Sequence, residues 1–226
     1  LSFNNIDYDK NILLITGASG FIGSHLVKFL LKNKINNKDN HLILLIRNPD
    51  FKFDNQENCS YLYCDFDELS NYNNVLKKID YVFHFAAEVK YNKPIDPFRH
   101  NLKSTKQLIN LVNNYKIKKF IIGSTLGALE RAPYDDCIKL LNENSHPNPK
   151  SKYGKSKLDS EKALIKSQLP YNIIRIPWAY GSNMTPDTHL RFFMEKVINK
   201  SLLTKFNFIG RVSIIEISDL LKSVLL

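Results

Sequence analysis

The strongest constraint on this 226-residue chain is a rhythm of short apolar runs separated by amphipathic or polar stretches. NILLIT (11–16), HLILLI (41–46), CSYLYC (59–64), DYVFHFA (80–86), KKFIIGS (118–124) and YNIIRI (171–176) read as six strands. Runs that stay apolar through successive positions bury both faces, as strands do when helices cover a parallel sheet on each side. The stretches between them supply the helices. One runs from about Phe21 to Asn33 and a short polar one spans 67–79. A third crosses 96–116, with Leu102, Leu108, Ile109 and Val112 as its stripe and Asp96 as its cap, and a fourth runs from Ser151 to Ser167. Right-handed crossovers wind such a chain into an α/β, doubly wound parallel sheet. After residue 181 the rhythm weakens to a helix near 187–199, strand-like pieces near 206–216 and a closing helix, SDLLKSVLL. The expected division is a main domain over 1–182 and a small substrate-binding segment over 183–226, packed on the sheet's carboxyl edge.

Composition mainly excludes. A chain of this length buries roughly 70 % of its unfolded surface, enough for one sizeable core. The run LILLI (42–46) is far too short to cross a bilayer, so no membrane association is expected. The opening LSFNNIDYDKN has no apolar core and does not read as a signal peptide. It begins without Met, which fits a processed chain or a fragment. Cys59, Cys64 and Cys137 form no CxxC pair, so they read as reduced thiols and make a cytoplasmic location the expectation. The formal charge is +10, but its lysines are spread along the chain with no run of five or six and no nucleic-acid-binding signature. No nucleic-acid partner is expected; a basic surface suits a phosphate-bearing small molecule.

Three of the eight glycines fall within seven positions, Gly17, Gly20 and Gly23, between the first strand and the first helix. Glycine there permits positive φ and removes the Cβ that would block a pyrophosphate. The helix beginning at Gly20 or Phe21 offers free N–H groups and its positive dipole end to phosphates. A plain tight turn would need one glycine rather than three, so the trio in this context points to a dinucleotide. An NAD site usually has Asp or Glu at the end of the second strand; here Arg47 stands there, followed by Asn48. A guanidinium pairs with a 2′-phosphate that a carboxylate would repel. The cofactor read from this is NADP, with NAD as the alternative and a solvated arginine as the plain explanation.

SKYGKSK places Tyr153 and Lys157 four apart, on one face of a helix. A phenol is a poor acid–base group at neutral pH, and an ammonium one turn away favours its ionised form. A hydroxyl at the end of the fifth strand, Thr125 or Ser124, would hold a substrate oxygen beside that phenol.

Taken in order, these motifs resemble the extended short-chain dehydrogenase/reductases, the NAD(P)-dependent epimerase/dehydratase group, over roughly residues 11–225. TGASGFIGSHL resembles the family's cofactor loop, which brings Ser19, Phe21 and Ile22 in beside the glycines. VFHFAAEV resembles the fourth-strand motif whose small residues, here Ala86 and Ala87, line the cofactor. CDFDE resembles the segment where Asp65 and its neighbour Phe66 approach the adenine. NLKSTKQLI is similar to the family's helix motif, with Ser104 where Gly is usual. ENSHPNPKSKYGKSK resembles the catalytic-tyrosine segment and RIPWAYG the strand-six motif passing the nicotinamide. The resemblance implies a Rossmann fold, Tyr153 as acid–base residue, Lys157 on the cofactor ribose and under that phenol, Thr125 or Ser124 on the substrate oxygen, and Pro177 beside the nicotinamide. It also implies a homodimer through the helices around 97–115 and 151–167. Two departures matter. No Asp-Glu pair follows the strand-five hydroxyls, which speaks against dehydration. The chain is also shorter than the family's usual length, so part of the substrate-binding portion is expected to be missing, reduced or supplied by a partner.

The function expected is an NAD(P)-dependent oxidoreductase or epimerase moving hydride between the nicotinamide and a carbinol or carbonyl carbon. The substrate expected is a nucleotide sugar or a small ketone or aldehyde. The alternative is a non-catalytic dinucleotide-binding module, a redox-sensing or assembly subunit. The segment 183–196 is expected on the far wall of the pocket, with His189 and Arg191 either meeting an anionic substrate or lying on a helix surface.

Overall fold

The computed structural model describes residues 6–53, 57–72, 76–89, 99–129, 141–184, 189–199 and 212–225. The chain runs β1 (Asn11–Thr16), α1 (Phe21–Lys32), β2 (Asn40–Ile46), β3 (Cys59–Tyr63), β4 (Tyr81–His84), α2 (Arg99–Val112), β5 (Lys119–Thr125), α3 (Lys152–Lys166) and β6 (Tyr171–Ile176). It closes with β7 (Trp178–Tyr180), α4 (His189–Ile198), β8 (Ile214–Glu216) and α5 (Ile217–Val224). Six strands form one parallel sheet in the order β3-β2-β1-β4-β5-β6. The chain starts in the middle, winds outward to β3, then returns to β4 on the other side of β1. The loops after β1 and β4 therefore diverge and leave a crevice at the carboxyl ends of those strands, where such sheets bind ligands. The sheet is the doubly wound Rossmann type expected from the sequence.

Residue parity shows why the strand sequences are apolar throughout. Ile12, Leu14, Ile43, Leu45, Val82, Phe120 and Ile122 share one core with Leu108, Ile109 and Val112 of α2 and Leu164 of α3. Leu13, Ile15, Leu42, Leu44, Phe83 and Ile121 point the other way, into a core with Leu26, Val27 and Leu30 of α1. Ile217, Leu220, Leu221 and Val224 of α5 join that second core, so the end of the described chain seals the face that α1 begins. β6 is the edge strand, and Tyr171 and Asn172 at its start are exposed.

Three local features differ from the sequence expectation. The polar stretch after β3 forms a 3₁₀ turn over Phe66–Tyr72. The carboxylate of Asp65 accepts the Phe66 N–H at 2.6 Å, and such side-chain bonds compete with an α-helical start. The parallel pair β7–β8 was not separable by periodicity, since each strand has three residues. The helix expected over 96–116 is described from Arg99 and ends at Val112, and Asp96 lies outside the described residues. Among the described residues no helix is long and apolar enough to cross a membrane. Cys59 and Cys64 are free thiols that burial pushes up to about 12, which makes them inert at neutral pH; Cys137 is outside the described residues.

Candidate active site

The loop after β1 is shaped by side chains that are not there. Gly17 sits at φ 74°, and a Cβ on it would lie 2.5 Å from the Ala86 nitrogen and 2.8 Å from its Cα. A Cβ on Gly23 would lie 2.0 Å from the Gly17 carbonyl oxygen. Both atoms must be absent for α1 and the turn after β4 to close on the loop together. Gly20 is the N-cap of α1: its N–H donates to the Gly17 carbonyl at 2.9 Å, and no side chain caps the first-turn N–H groups. The first turn holds no acidic residue. Ser19 is exposed, while Phe21 and Ile22 are half-buried. This is a bare, uncapped helix start framed by backbone, and it fits a pyrophosphate. Arg47 lies exposed just past β2, and Asp65 and Phe66 lie past β3, one strand further from β1. Ala86 meets the glycine loop directly, and Ala87 beside it is exposed.

A second glycine contact assembles the chemistry. Ser151 caps α3 by accepting the Gly154 N–H at 3.0 Å. A Cβ on Gly154 would lie 2.3 Å from the Gly127 carbonyl oxygen, so the first turn of α3 rests on the 3₁₀ turn Leu126–Leu129 that follows β5. Thr125 belongs to the same junction, its hydroxyl oxygen accepting the Gly127 N–H at 3.1 Å. Tyr153, next to Gly154, and Thr125, two before Gly127, are thereby placed at one corner of the sheet. The Thr125 proton has no acceptor among the described residues. Ser124 points elsewhere: it is buried and its hydroxyl donates to Glu161.

Lys157 is 1 % exposed. No hydrogen bond to its ammonium is present among the described residues. Burial pushes this amine down from 10.5 to about 8, against the pull of Glu161, which raises it. The folded protein thus holds this proton less tightly than the unfolded chain, and burying the charge costs stability at neutral pH. The cost is relieved as pH rises from about 8 toward 10.5. A buried cation without hydrogen-bond acceptors matches a ligand that brings them, as a ribose diol does.

Beneath these residues runs a directed hydrogen-bond chain. The Ala86 N–H donates to Thr16 Oγ1 at 3.3 Å, and Thr16 lies 2.7 Å from His84 Nδ1. His84 Nε2 lies 3.0 Å from Thr105 Oγ1, whose proton goes to the Asn101 carbonyl at 2.8 Å. With the Thr105 proton so committed, Nε2 carries the imidazole hydrogen and Nδ1 accepts from Thr16. Burial, with the Lys157 charge adding to it, pushes His84 down to about 3, so the ring stays neutral. Asn101 accepts the Glu88 N–H at 2.7 Å and donates to Ser156 at 3.1 Å, and Ser156 donates to the Tyr153 carbonyl at 2.8 Å. One network thus joins the turn after β4 to the turn carrying Tyr153.

Among the expected residues, Gly17 meets Ala86 directly, and the turn that carries Tyr153 meets the turn after Thr125 through Gly154 and Gly127. Pro177 lies between β6 and β7. Arg191 donates to Glu195 at 2.9 Å and to the Met184 carbonyl at 2.7 Å, and the His189 side chain is outside the described residues. Sequence reasoning did not single out Thr16, His84, Asn101, Thr105, Glu161 or Arg175. The usable signals were a histidine inside VFHF, an arginine inside YNIIRI, and a glutamate one turn beyond Lys157 on a buried stripe.

Comparison with known proteins agrees with this layout. The family model described as the NAD dependent epimerase/dehydratase family matches residues 13–222. A dTDP-D-glucose 4,6-dehydratase of Dictyostelium discoideum is 31% identical over 223 residues, covering 85% of this chain and 49% of that one. An uncharacterised UDP-glucose epimerase of Bacillus subtilis, YtcB, is 28% identical, covering 86% of this chain and 65% of its own length. The chain thus spans about half to two thirds of these relatives. Among solved structures, the UDP-glucuronic acid 4-epimerase of Bacillus cereus in complex with UDP-glucuronic acid and NAD superposes with a TM-score of 0.77 at 24% identity, over 95% of this chain and 72% of that one. The UDP-N-acetylglucosamine 4-epimerase of Methanobrevibacter ruminantium gives 0.75 at 24% identity, over 96% and 72%. At these identities the likeness is one of fold, and with the family match over nearly the whole chain it places the protein: it belongs to the NAD dependent epimerase/dehydratase family.

Proposed function

We propose that this chain is the dinucleotide-binding and catalytic portion of an NAD(P)-dependent nucleotide-sugar epimerase or reductase. The observation carrying this is the junction at the carboxyl end of β5. There the turn that carries Tyr153 rests, through Gly154 and Gly127, on the turn that follows Thr125, while Lys157, one turn on, is a buried cation lacking acceptors among the described residues. The glycine loop and the α1 N-terminus would hold the pyrophosphate of the dinucleotide, Lys157 would hold its nicotinamide ribose, and Pro177 would flank the ring. When bound, the nicotinamide supplies the hydride acceptor and donor. Thr125 donates to the substrate oxygen, and Tyr153 takes the proton from that oxygen and returns it. The Lys157 ammonium stabilises the charge that develops on the phenol oxygen. Arg47 past β2 supports a preference for NADP(H), although the Bacillus cereus neighbour is complexed with NAD.

Epimerisation or simple reduction is favoured over dehydration because Leu126 and Gly127 follow Thr125, where a dehydratase needs acids to move protons on the sugar ring. Residues 183–226 supply part of the substrate wall, and the working unit is a cytoplasmic homodimer formed through the outer faces of α2 and α3. The test is to incubate the protein with NAD(P) and UDP- or dTDP-hexoses and to follow 4-epimer and 4-keto products by NMR. Epimer or keto-sugar formation that collapses in Tyr153→Phe supports the reading. Turnover that is undiminished in Tyr153→Phe overturns the acid–base role.

A further inference from the structure

Glu161 is the one described carboxylate that is 1 % exposed and faces the site from below. Its Oε1 takes the Ser124 hydroxyl and the Arg175 Nε–H at 3.2 Å, and its Oε2 takes Arg175 Nη2 at 2.8 Å. Ser124 and Arg175 are themselves register partners across β5 and β6. One residue later on each strand stand Thr125 and Ile176, and then Gly127's turn on one side and Pro177 on the other. The carboxylate therefore ties α3 to both strands at the last point before they deliver residues to the site.

We propose that Glu161 is a positioning residue of this site: it fixes the ends of β5 and β6 through Ser124 and Arg175 and, four residues beyond Lys157 on the same buried face of α3, balances the charge of that amine. The second half rests on the reading of Lys157 as the group that meets the ligand; the first half does not. The charged and titratable groups coupled to the Lys157 amine are Glu161, one turn on along its own helix, and the neutral His84 from β4, with Arg175 from β6 acting through Glu161. α2 presents only neutral Asn101, Ser104 and Thr105 to this interior. Glu161 is thus the single anion in the set, and Arg175 competes with Lys157 for it. Two substitutions accordingly have opposite effects. Glu161→Gln keeps an acceptor for Ser124 but removes the charge. Arg175→Gln keeps the charge and removes the competitor.

The experiment is an NMR titration of the lysine 13Cε resonances in the full chain without cofactor, with Lys157 assigned by its loss in Lys157→Met. Glu161→Gln is expected to lower the Lys157 proton affinity at least roughly tenfold, one pKa unit, and Arg175→Gln to raise it. Equal titration in wild type and both variants, or shifts of the same sign, overturns the proposal. If Glu161→Gln does not fold, the sign of the Arg175→Gln shift decides alone. NADPH binding to the same samples separates the two readings. A protein that shows the opposed shifts but binds no dinucleotide retains the Glu161 arrangement and loses the function proposed above.

Discussion

The loop after β1 and the interior beneath α3 solve opposite problems. The loop makes room by leaving out side chains: Gly17 and Gly23 bring backbone to within distances that a Cβ forbids. The α3 interior is crowded with polar side chains, His84, Thr105, Asn101, Ser156, Ser160, Glu161 and Lys157, all buried. The first is an uncapped helix start framed by backbone. The second is a network of side-chain hydrogen bonds in which, among the described residues, the Lys157 ammonium has no acceptor. Backbone shapes the first region and side-chain bonding the second, so under the proposed function binding and turnover should fail differently.

The largest effect is expected at Gly23. Gly23→Ala forces a Cβ to within 2.0 Å of the Gly17 carbonyl. The expected loss is about 3 kcal/mol in urea denaturation, with dinucleotide binding weakened by about a hundredfold or more. Gly20→Ala is the control. Its Cβ meets only the Gly17 oxygen at 3.2 Å, and the expected loss is under about 1 kcal/mol. Equal losses in the two variants would break the idea that close approach shapes the loop. On the other side, Tyr153→Phe is expected to lower turnover by about 10²–10⁴ while leaving NADPH affinity and stability in place.

The buried network should also be acid-sensitive. His84 is held neutral with its value pushed down to about 3, so the unfolded chain binds a proton near pH 6.5 that the folded one refuses. Stability is complete above about pH 6.5 and falls toward pH 3, at most about 1.4 kcal/mol per pH unit from this ring. Between pH 6.5 and 5, where carboxylates remain ionised, His84→Gln should flatten the urea-midpoint curve; an unchanged slope contradicts this. The smallest effect belongs to Arg47: Arg47→Asp should move the NADPH-to-NADH preference about tenfold toward NADH, roughly 1.4 kcal/mol, with no change in stability.

The same contrast decides what the sequence discloses. β1 and the glycine loop are legible because one contiguous stretch, residues 11–23, carries both the apolar run and the missing side chains. Tyr153 and Lys157 are legible because helix periodicity puts them on one face. The partners of Glu161 are not: Ser124 and Arg175 come from two strands and meet only after the sheet forms. Ser124 and Thr125 were indistinguishable by residue type, and only strand parity sends one hydroxyl to Glu161 and the other to Gly127. The closure of the second core by α5 depends on a chain reversal that no local pattern encodes.

If the two regions form one dinucleotide site, Lys157 is buried for the ligand rather than for the fold. An equilibrium titration of NADPH and NADH, followed by nicotinamide fluorescence, tests it on wild-type protein and on Lys157→Met. Wild-type binding should be saturable with NADPH favoured, and weakened at least about tenfold in Lys157→Met. The variant's thermal stability should match or exceed that of the wild type, since the desolvation cost of the buried ammonium is gone while Glu161 keeps Arg175. Wild-type protein that binds neither nucleotide, or a Lys157→Met variant that binds as tightly as wild type, would contradict it.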